Sequence, residues 1–356
     1  MIRIVHICSD SNAGGAVISL LRLLSASMND EFHHFVLIPD CSVMSEEFVS
    51  VGADVIKLKH GRDNSSSLPA ILECANHIRK IRPHIVHTHG AMYGRAASLL
   101  CGVRSRIYTR HTYHNTRSSI LFRYINKLVT TRAVAVNSAL VEQIVLSGIS
   151  QDRISLIENG TEAIDRQAND SPSRKYNLLY CGRIVYEKGL KLALDAIERL
   201  HQEDLRYSLT IVGDGEYKEE ILSLLSDRSM TSYVRVFPYT KDITAYLFDC
   251  GIAINCSYSQ EATSMFILEA MSAGMGVVLS DIAGNSNLIE DGYNGRTFKS
   301  GDVDSFVCAV IDVSRSFDEY SKRSSENHKS RFALSRMAAE YHSLWKEEYE
   351  KYYQRK

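Results

Sequence analysis

The feature that most constrains this chain is an alternation of short apolar runs with helical runs, and it occurs twice. In the first half, strand-length segments stand at 2–8 (IRIVHIC), 33–40, 53–59, 84–90 (HIVHTHG), 105–111 (SRIYTRH), 133–138 and 153–159. Helical runs separate several of them, among them AVISLLRLLSASM, LPAILECANHIRKIR (68–82), GRAASLLCG and SSILFRYINKLVTTR. The pattern then restarts with strands at 177–183 (NLLYCGR), 207–213, 233–238, 252–257 and 276–281, interleaved with helices such as KGLKLALDAIERLHQ. Such alternation predicts parallel, doubly wound α/β sheets. The polar segment 166–175, RQANDSPSRK, reads as a linker. The expected domains are therefore 1–165 and 176–335, with a terminal helical segment at 336–356.

The chain has 356 residues, 45% of them hydrophobic, enough for two cores at about 150 residues per domain. Its eight cysteines form no Cys-x-x-Cys pair, so they read as reduced thiols of a cytosolic protein. The start, MIRIVHICSD, reads as a strand and not as a signal peptide, and no apolar run is long enough to span a bilayer. The net charge of −1 hides an asymmetry: Arg79 to Arg132 holds eleven Lys or Arg and no Asp or Glu. That stretch is either a solvated surface or a face for anionic ligands or an anionic membrane, with Arg117 and Arg123 its acceptor-side candidates. It contains no nucleic-acid reader module, so no nucleic-acid partner is expected.

Open α/β sheets bind ligands beyond the carboxyl ends of their strands, so residues there carry the functional reading. Gly14 and Gly15 end the first βα turn and open a helix, short of a full dinucleotide fingerprint. In the second half, GRIVYEKG places Arg183 and Lys188 at a strand-to-helix junction, a pairing suited to a diphosphate. VGDG, with Gly213, ends the next strand. SYSQEATSMFILEAMSAGMG (257–276) carries Glu261 before a helix and Glu269 within it. Unpaired amides near Ser264, Met265 and Phe266 favour a phosphate, while the two carboxylates can each accept from sugar hydroxyls. Glu269 sits among apolar residues and calls for a partner. His87-Thr88-His89 and His111 stand at strand ends; with no neighbouring carboxylate, His89 and His111 suit a substrate hydroxyl or phosphate better than a metal, and no metal site is assigned.

Together these segments, with IVHTHG, TRH, NSAL, ENGTE and EDGYNG, resemble in order and spacing the family 4 retaining glycosyltransferases of GT-B fold. The resemblance spans nearly the whole chain. It implies two Rossmann-like domains facing a central cleft and a final helix that crosses back to the first. It further implies that Arg183 and Lys188 neutralise the diphosphate of a nucleotide-sugar donor and that Glu261 holds the sugar. Glu269 would hold the ribose, amides of 265–267 the distal phosphate, Gly15 the donor from the first domain, and His111 the transferred sugar. Three departures stand out: Gly276 where the family often has Pro, Asn287 where it has Glu, and EATS (261–264) where it has Glu-Gly-Phe-Gly. They leave the donor sugar open.

The expected function is transfer of a sugar from a nucleotide-diphosphate sugar to a glycan or polyprenyl-diphosphate-linked acceptor, without cofactor. Peripheral contact with an anionic membrane is the accompanying expectation. A nucleotide-sugar epimerase or hydrolase on the same fold, or a non-catalytic binder, are the competing readings.

Overall fold

The computed structural model describes residues 1–12, 14–61, 67–113, 119–165, 173–259 and 261–354. They divide into two compact units, Met1–Gly160 with Leu334–Lys356, and Thr161–Ala333.

Unit 1 holds seven parallel strands: β1 (Ile2–Cys8), β2 (Phe32–Pro39), β3 (Asp54–Leu58), β4 (Ile85–His89), β5 (Ser105–Arg110), β6 (Arg132–Ala135) and β7 (Ile154–Leu156). Their order is β3-β2-β1-β4-β5-β6-β7. The central strands are apolar throughout because both faces are covered. One face packs Val5, Ile7 and Leu37 against the helices Leu68–Ile81 and Met92–Leu100. The other packs Ile4, Ile85 and Ile107 against Met337, Tyr341 and Trp345 of the helix Leu334–Tyr349.

Unit 2 holds six parallel strands: β8 (Asn177–Cys181), β9 (Ser208–Val212), β10 (Val234–Phe237), β11 (Ile252–Asn255), β12 (Gly276–Ser280) and β13 (Arg296–Phe298), in the order β10-β9-β8-β11-β12-β13. Helices Leu190–Glu203 and Val303–Arg315 cover one face; Thr244–Asp249 and Met265–Ser272 cover the other.

The boundaries differ from the sequence reading for a local reason. Residues 162–165 are stitched to unit 2: the Ser272 hydroxyl donates to the Glu162 carbonyl at 3.0 Å and accepts from the Ile164 amide at 2.7 Å. The expected linker 166–175 is not uniformly a tether. Arg174 is buried, and its guanidinium donates to the carbonyls of Leu247 and Cys250 at the end of the helix Thr244–Asp249. Residues 166–172 lie outside the described residues. The eight cysteines are all free thiols.

Candidate functional site

In unit 2 the strand order reverses between β8 and β11, and the loops leaving these two strands carry most of the candidate residues. Two glycine contacts set the first loop in place. A Cβ on Gly213 would lie 1.9 Å from the Gly182 carbonyl oxygen, and one on Gly215 would lie 2.2 Å from that of Ile184. The Ile184 amide donates to the Asp214 carbonyl at 2.8 Å. Gly213, expected to bind donor, thus seats the Arg183 turn from behind. Tyr180, buried in β8, donates its hydroxyl to the Arg183 carbonyl at 2.7 Å and holds the same turn. The Arg183 side chain is exposed and makes no ion pair among the described residues.

The second loop is pressed against the first. Gly189 has φ of +68°, and a Cβ there would lie 2.0 Å from the Cys256 carbonyl oxygen, so only glycine allows this approach. The Tyr258 amide donates to the Glu187 carbonyl at 2.8 Å. The consequence is an ion pair: Lys188 Nζ lies 2.7 Å from Glu261 Oε1, with the two side chains 23% and 12% exposed. The same oxygen accepts from the Ser257 hydroxyl and, at 3.3 Å, from Asn255 Nδ2. Gly284, φ +97°, would bring a Cβ within 1.8 Å of the Glu261 carbonyl oxygen, which fixes the backbone on its other side. The sequence reading kept Lys188 for phosphate and Glu261 for sugar as separate roles; the fold joins them.

The helix Met265–Ser272 starts at Ser264, whose side chain does not cap it. Its first intrahelical bond runs from the Leu268 amide to the Ser264 carbonyl at 3.3 Å, so the amides of 265–267 have no partner within the helix. The side chains of Phe266 and Ile267 are buried, which leaves only their backbone for a ligand. Glu269 is half-buried one turn further in, close enough to Cys181 at the end of β8 to act on it. Burial first, and then this negative charge, push the Cys181 thiol up to about 12. Two cations, three amides and two carboxylates therefore gather at one sheet edge, the donor set for a diphosphate joined to a polyol. A cavity of about 900 Å³ elsewhere in unit 2 adjoins Ser272, Gly274, Arg174 and Phe317 and holds none of these residues.

In unit 1 the reversal lies between β1 and β4, and imidazoles occupy it. Parallel register sets His6 beside His87. His34 Nδ1 lies 3.1 Å from His6 Nε2, His6 Nδ1 3.4 Å from His89 Nε2, and His89 Nδ1 3.0 Å from His111 Nε2. His87 Nε2 bonds Thr109 Oγ1 at 2.7 Å, and the Trp345 indole packs on His6, His34 and His87. Burial holds His34 and His111 down at about 4 and His87 at about 3, with His6 and His89 also well below the ordinary imidazole value. The layer is neutral at pH 7. His6, His87 and His89 offer ring nitrogens within 4.8 Å of one another and are the residues that could hold a metal. The group includes no carboxylate, so a buried divalent charge would go uncompensated.

His89, an acceptor-side candidate from sequence, is buried behind His111 and presents no surface of its own. His111 Nδ1 makes no hydrogen bond among the described residues. Gly15 opens the helix Gly15–Ser25, and a Cβ there would meet no described atom within 4 Å, so packing within the unit does not demand glycine. Arg123 lies on a surface helix; Arg117 lies outside the described residues. Sequence reasoning missed His6, His34 and the Asn255 and Ser257 partners of Glu261. His6 of β1 and His34 of β2 signal nothing in sequence until strand register brings them together.

Comparison with known proteins gives the family and the fold. Residues 13–163 match the family model described as Glycosyltransferase Family 4, and residues 161–331 match that of Glycosyl transferases group 1. The glycogen synthase of Mycobacterium tuberculosis is 28% identical over 239 residues, 65% of this chain and 54% of that protein, so the chain spans about half the length of that relative. The UDP-Gal:alpha-D-GlcNAc-diphosphoundecaprenol alpha-1,3-galactosyltransferase of Escherichia coli is 24% identical over 263 residues, 66% of this chain and 67% of that protein. The solved structure of Anabaena HepE in complex with UDP matches with a TM-score of 0.80 at 15% identity, over 97% of this chain and 100% of that one, a likeness of fold. With residues 13–163 and 161–331 matched in turn by the two models, the chain belongs to the family 4 glycosyltransferases, and its two parallel sheets have the GT-B fold.

Proposed function

We propose that the chain transfers a sugar from a nucleotide-diphosphate sugar to a hydroxyl of a glycan or polyprenyl-diphosphate-linked acceptor, with retention at the anomeric carbon and without a metal ion, in bacterial polysaccharide or glycolipid assembly. The observation that carries this reading is the Lys188–Glu261 pair beside Arg183 and the uncapped helix Met265–Ser272. An ammonium has three N–H donors. Glu261 takes one and holds the group in place, which leaves two for phosphate oxygens. Arg183 and the amides of 265–267 supply the remaining donors. The charge that grows on the departing nucleoside diphosphate thus meets fixed positive groups, the role a divalent ion fills in other enzymes. Glu269 accepts from the ribose diol.

In unit 1, Gly15 and His111 stand at the carboxyl edge of the sheet; the family likeness brings Gly15 to the donor and His111 to the transferred sugar. His111 is neutral at pH 7 and acts as a hydrogen-bonding group to a hydroxyl, not as an acid. The acceptor attacks from the face the phosphate leaves, and the departing phosphate oxygen takes its proton. The relatives named for UDP and for a diphosphoundecaprenol acceptor support a UDP-type donor and a lipid-linked acceptor. A donor made in the cytoplasm places the reaction on the cytoplasmic side of the membrane. No described helix is long and apolar enough to cross a membrane.

The test is turnover of a panel of UDP-, GDP- and ADP-sugars with lipid-linked acceptors, reading the anomeric configuration of the product by NMR. Acceptor-dependent transfer with retention that survives EDTA is expected. Donor consumption of equal rate without acceptor would replace transfer by hydrolysis or epimerisation.

A further inference from the structure

The helix Ile120–Val129 of unit 1 is built inside out. Its inward side carries a polar residue: Asn126 is 2% exposed, accepts from Arg95 Nη1, and donates to the Ser147 carbonyl and hydroxyl at 2.9 Å each. Arg95, itself buried, donates as well to Thr130 Oγ1 at 2.9 Å. Gly148 seats the helix closely, since a Cβ there would lie 2.5 Å from the Arg123 carbonyl oxygen. The outward side is apolar: Ile120 is 86% exposed, Leu121 68%, Tyr124 67%, Leu128 51% and Ile125 41%. At about 100° per residue these five side chains share an arc of roughly 140°, with Arg123 and Lys127 along one edge. A helix on a water-facing surface turns its apolar arc inward. Single exposed leucines are ordinary, but a contiguous apolar face marks an interaction surface.

Charge selects the occupant. The helix lies in the stretch from Arg79 to Arg132, which holds eleven cations and no acid, Arg95 and Arg110 among them being buried. An apolar arc edged by cations, on a helix that itself carries no carboxylate, fits the boundary between headgroups and acyl chains of an anionic bilayer. A second copy of the chain would set the same cations around the same patch on both sides, a poor match for a two-fold interface. Ten residues extend about 15 Å, so the helix lies along the surface and does not span.

We propose that Ile120–Val129 docks the protein on anionic membrane, with Ile120, Leu121, Tyr124, Ile125 and Leu128 immersed and Arg123 and Lys127 at the level of the phosphates. The inference deepens the transfer reading, and rests on it for one point only: that docking brings unit 1 to the surface where a lipid-linked acceptor resides.

Co-sedimentation of the full chain with phosphatidylcholine–phosphatidylglycerol vesicles, against phosphatidylcholine alone, tests it without any turnover. Binding to the anionic vesicles, weakened by salt, is expected. The triple substitution Leu121→Ser, Ile125→Ser, Leu128→Ser is expected to lower it at least tenfold, at about 0.8 kcal/mol per immersed methylene. Arg123→Glu with Lys127→Glu is expected to lower it by at least about tenfold on anionic vesicles alone. Tyr124→Trp should show blue-shifted emission on vesicle addition against the buried Trp345. The triple variant should keep its melting temperature and its turnover of a water-soluble acceptor. Absent vesicle binding, undiminished binding by the triple variant, equal binding to both vesicle types, or self-association through this face would each overturn the proposal. A transferase that turns over yet ignores vesicles defeats only the docking inference; vesicle binding without transfer defeats only the reaction.

Discussion

The two units share a sheet plan and differ at its functional edge. Both sheets reverse strand order at one point, β1 to β4 in unit 1 and β8 to β11 in unit 2. In unit 1 that point is filled by five neutral imidazoles, three of which, His6, His34 and His87, pack against Trp345. In unit 2 it carries Lys188, Glu261 and the exposed Arg183, held by glycines that admit close backbone contact. The topology offers the same location twice; the side chains decide what can be bound there. The charged edge can neutralise an anion, whereas the imidazole edge offers hydrogen bonds without a charge.

The largest expected effect concerns acid. His34 and His111 sit at about 4 in the fold, below the ordinary 6.5, because burial disfavours their charged form. Between these values the unfolded chain binds more protons than the folded one, so stability is full above pH 6.5 and falls as pH drops toward 4. Each such group is worth up to about 3 kcal/mol by pH 4, and His6, His87 and His89 act in the same direction. Among the described residues of unit 2 only His328 behaves this way, also at about 4. Amide exchange at pH 7 and pH 5 should therefore show unit 1 loosening before unit 2; equal loosening would break the contrast.

Next comes the charged edge. Lys188→Ala should lower turnover by about 10²- to 10³-fold, the size seen when a positioned donor to developing charge is removed. It also strands Glu261, so the melting temperature should fall, and adding Glu261→Gln should recover stability without recovering turnover. Parallel recovery of both would mean that the pair is structural only. Smaller again is Gly189→Ala, expected to cost about 2 kcal/mol through its left-handed backbone and the Cys256 contact, while Gly15→Ala in unit 1 should leave stability unchanged. Differential scanning calorimetry separates the two. The smallest effect belongs to Glu269→Gln, about fivefold to tenfold in nucleotide affinity from loss of a charged acceptor; deoxyribose nucleotides should not feel the change.

Most of the fold was legible because parallel strands buried on both faces read as continuous apolar runs with helical runs between them. What escaped has physical reasons. The helix Phe317–Asn327 buries only Tyr320 and Ser324, so it writes no apolar stripe. SSILFRYINKLVTTR read as helical, but its pattern does not say that Asn126 faces inward and Leu121 outward; that depends on Arg95 and Ser147, distant in sequence. At the site, the residue types and their grouping at strand ends were readable. Their mutual contacts were not: the close approach of Gly189 to Cys256, which draws Lys188 onto Glu261, is a property of the folded loops. His89 looked available from its strand-end position and is covered by its neighbour.

The central claim is that unit 2 alone supplies the grip on the diphosphate. Calorimetric titration of UDP into the unmodified protein, Arg183→Ala, Lys188→Ala and His111→Ala tests it most directly. Binding weakened at least tenfold in each of the two unit 2 variants and unchanged in His111→Ala is expected, each missing cationic contact being worth about 1.5–3 kcal/mol. Unweakened binding in Lys188→Ala and Arg183→Ala, or its loss in His111→Ala, would contradict it.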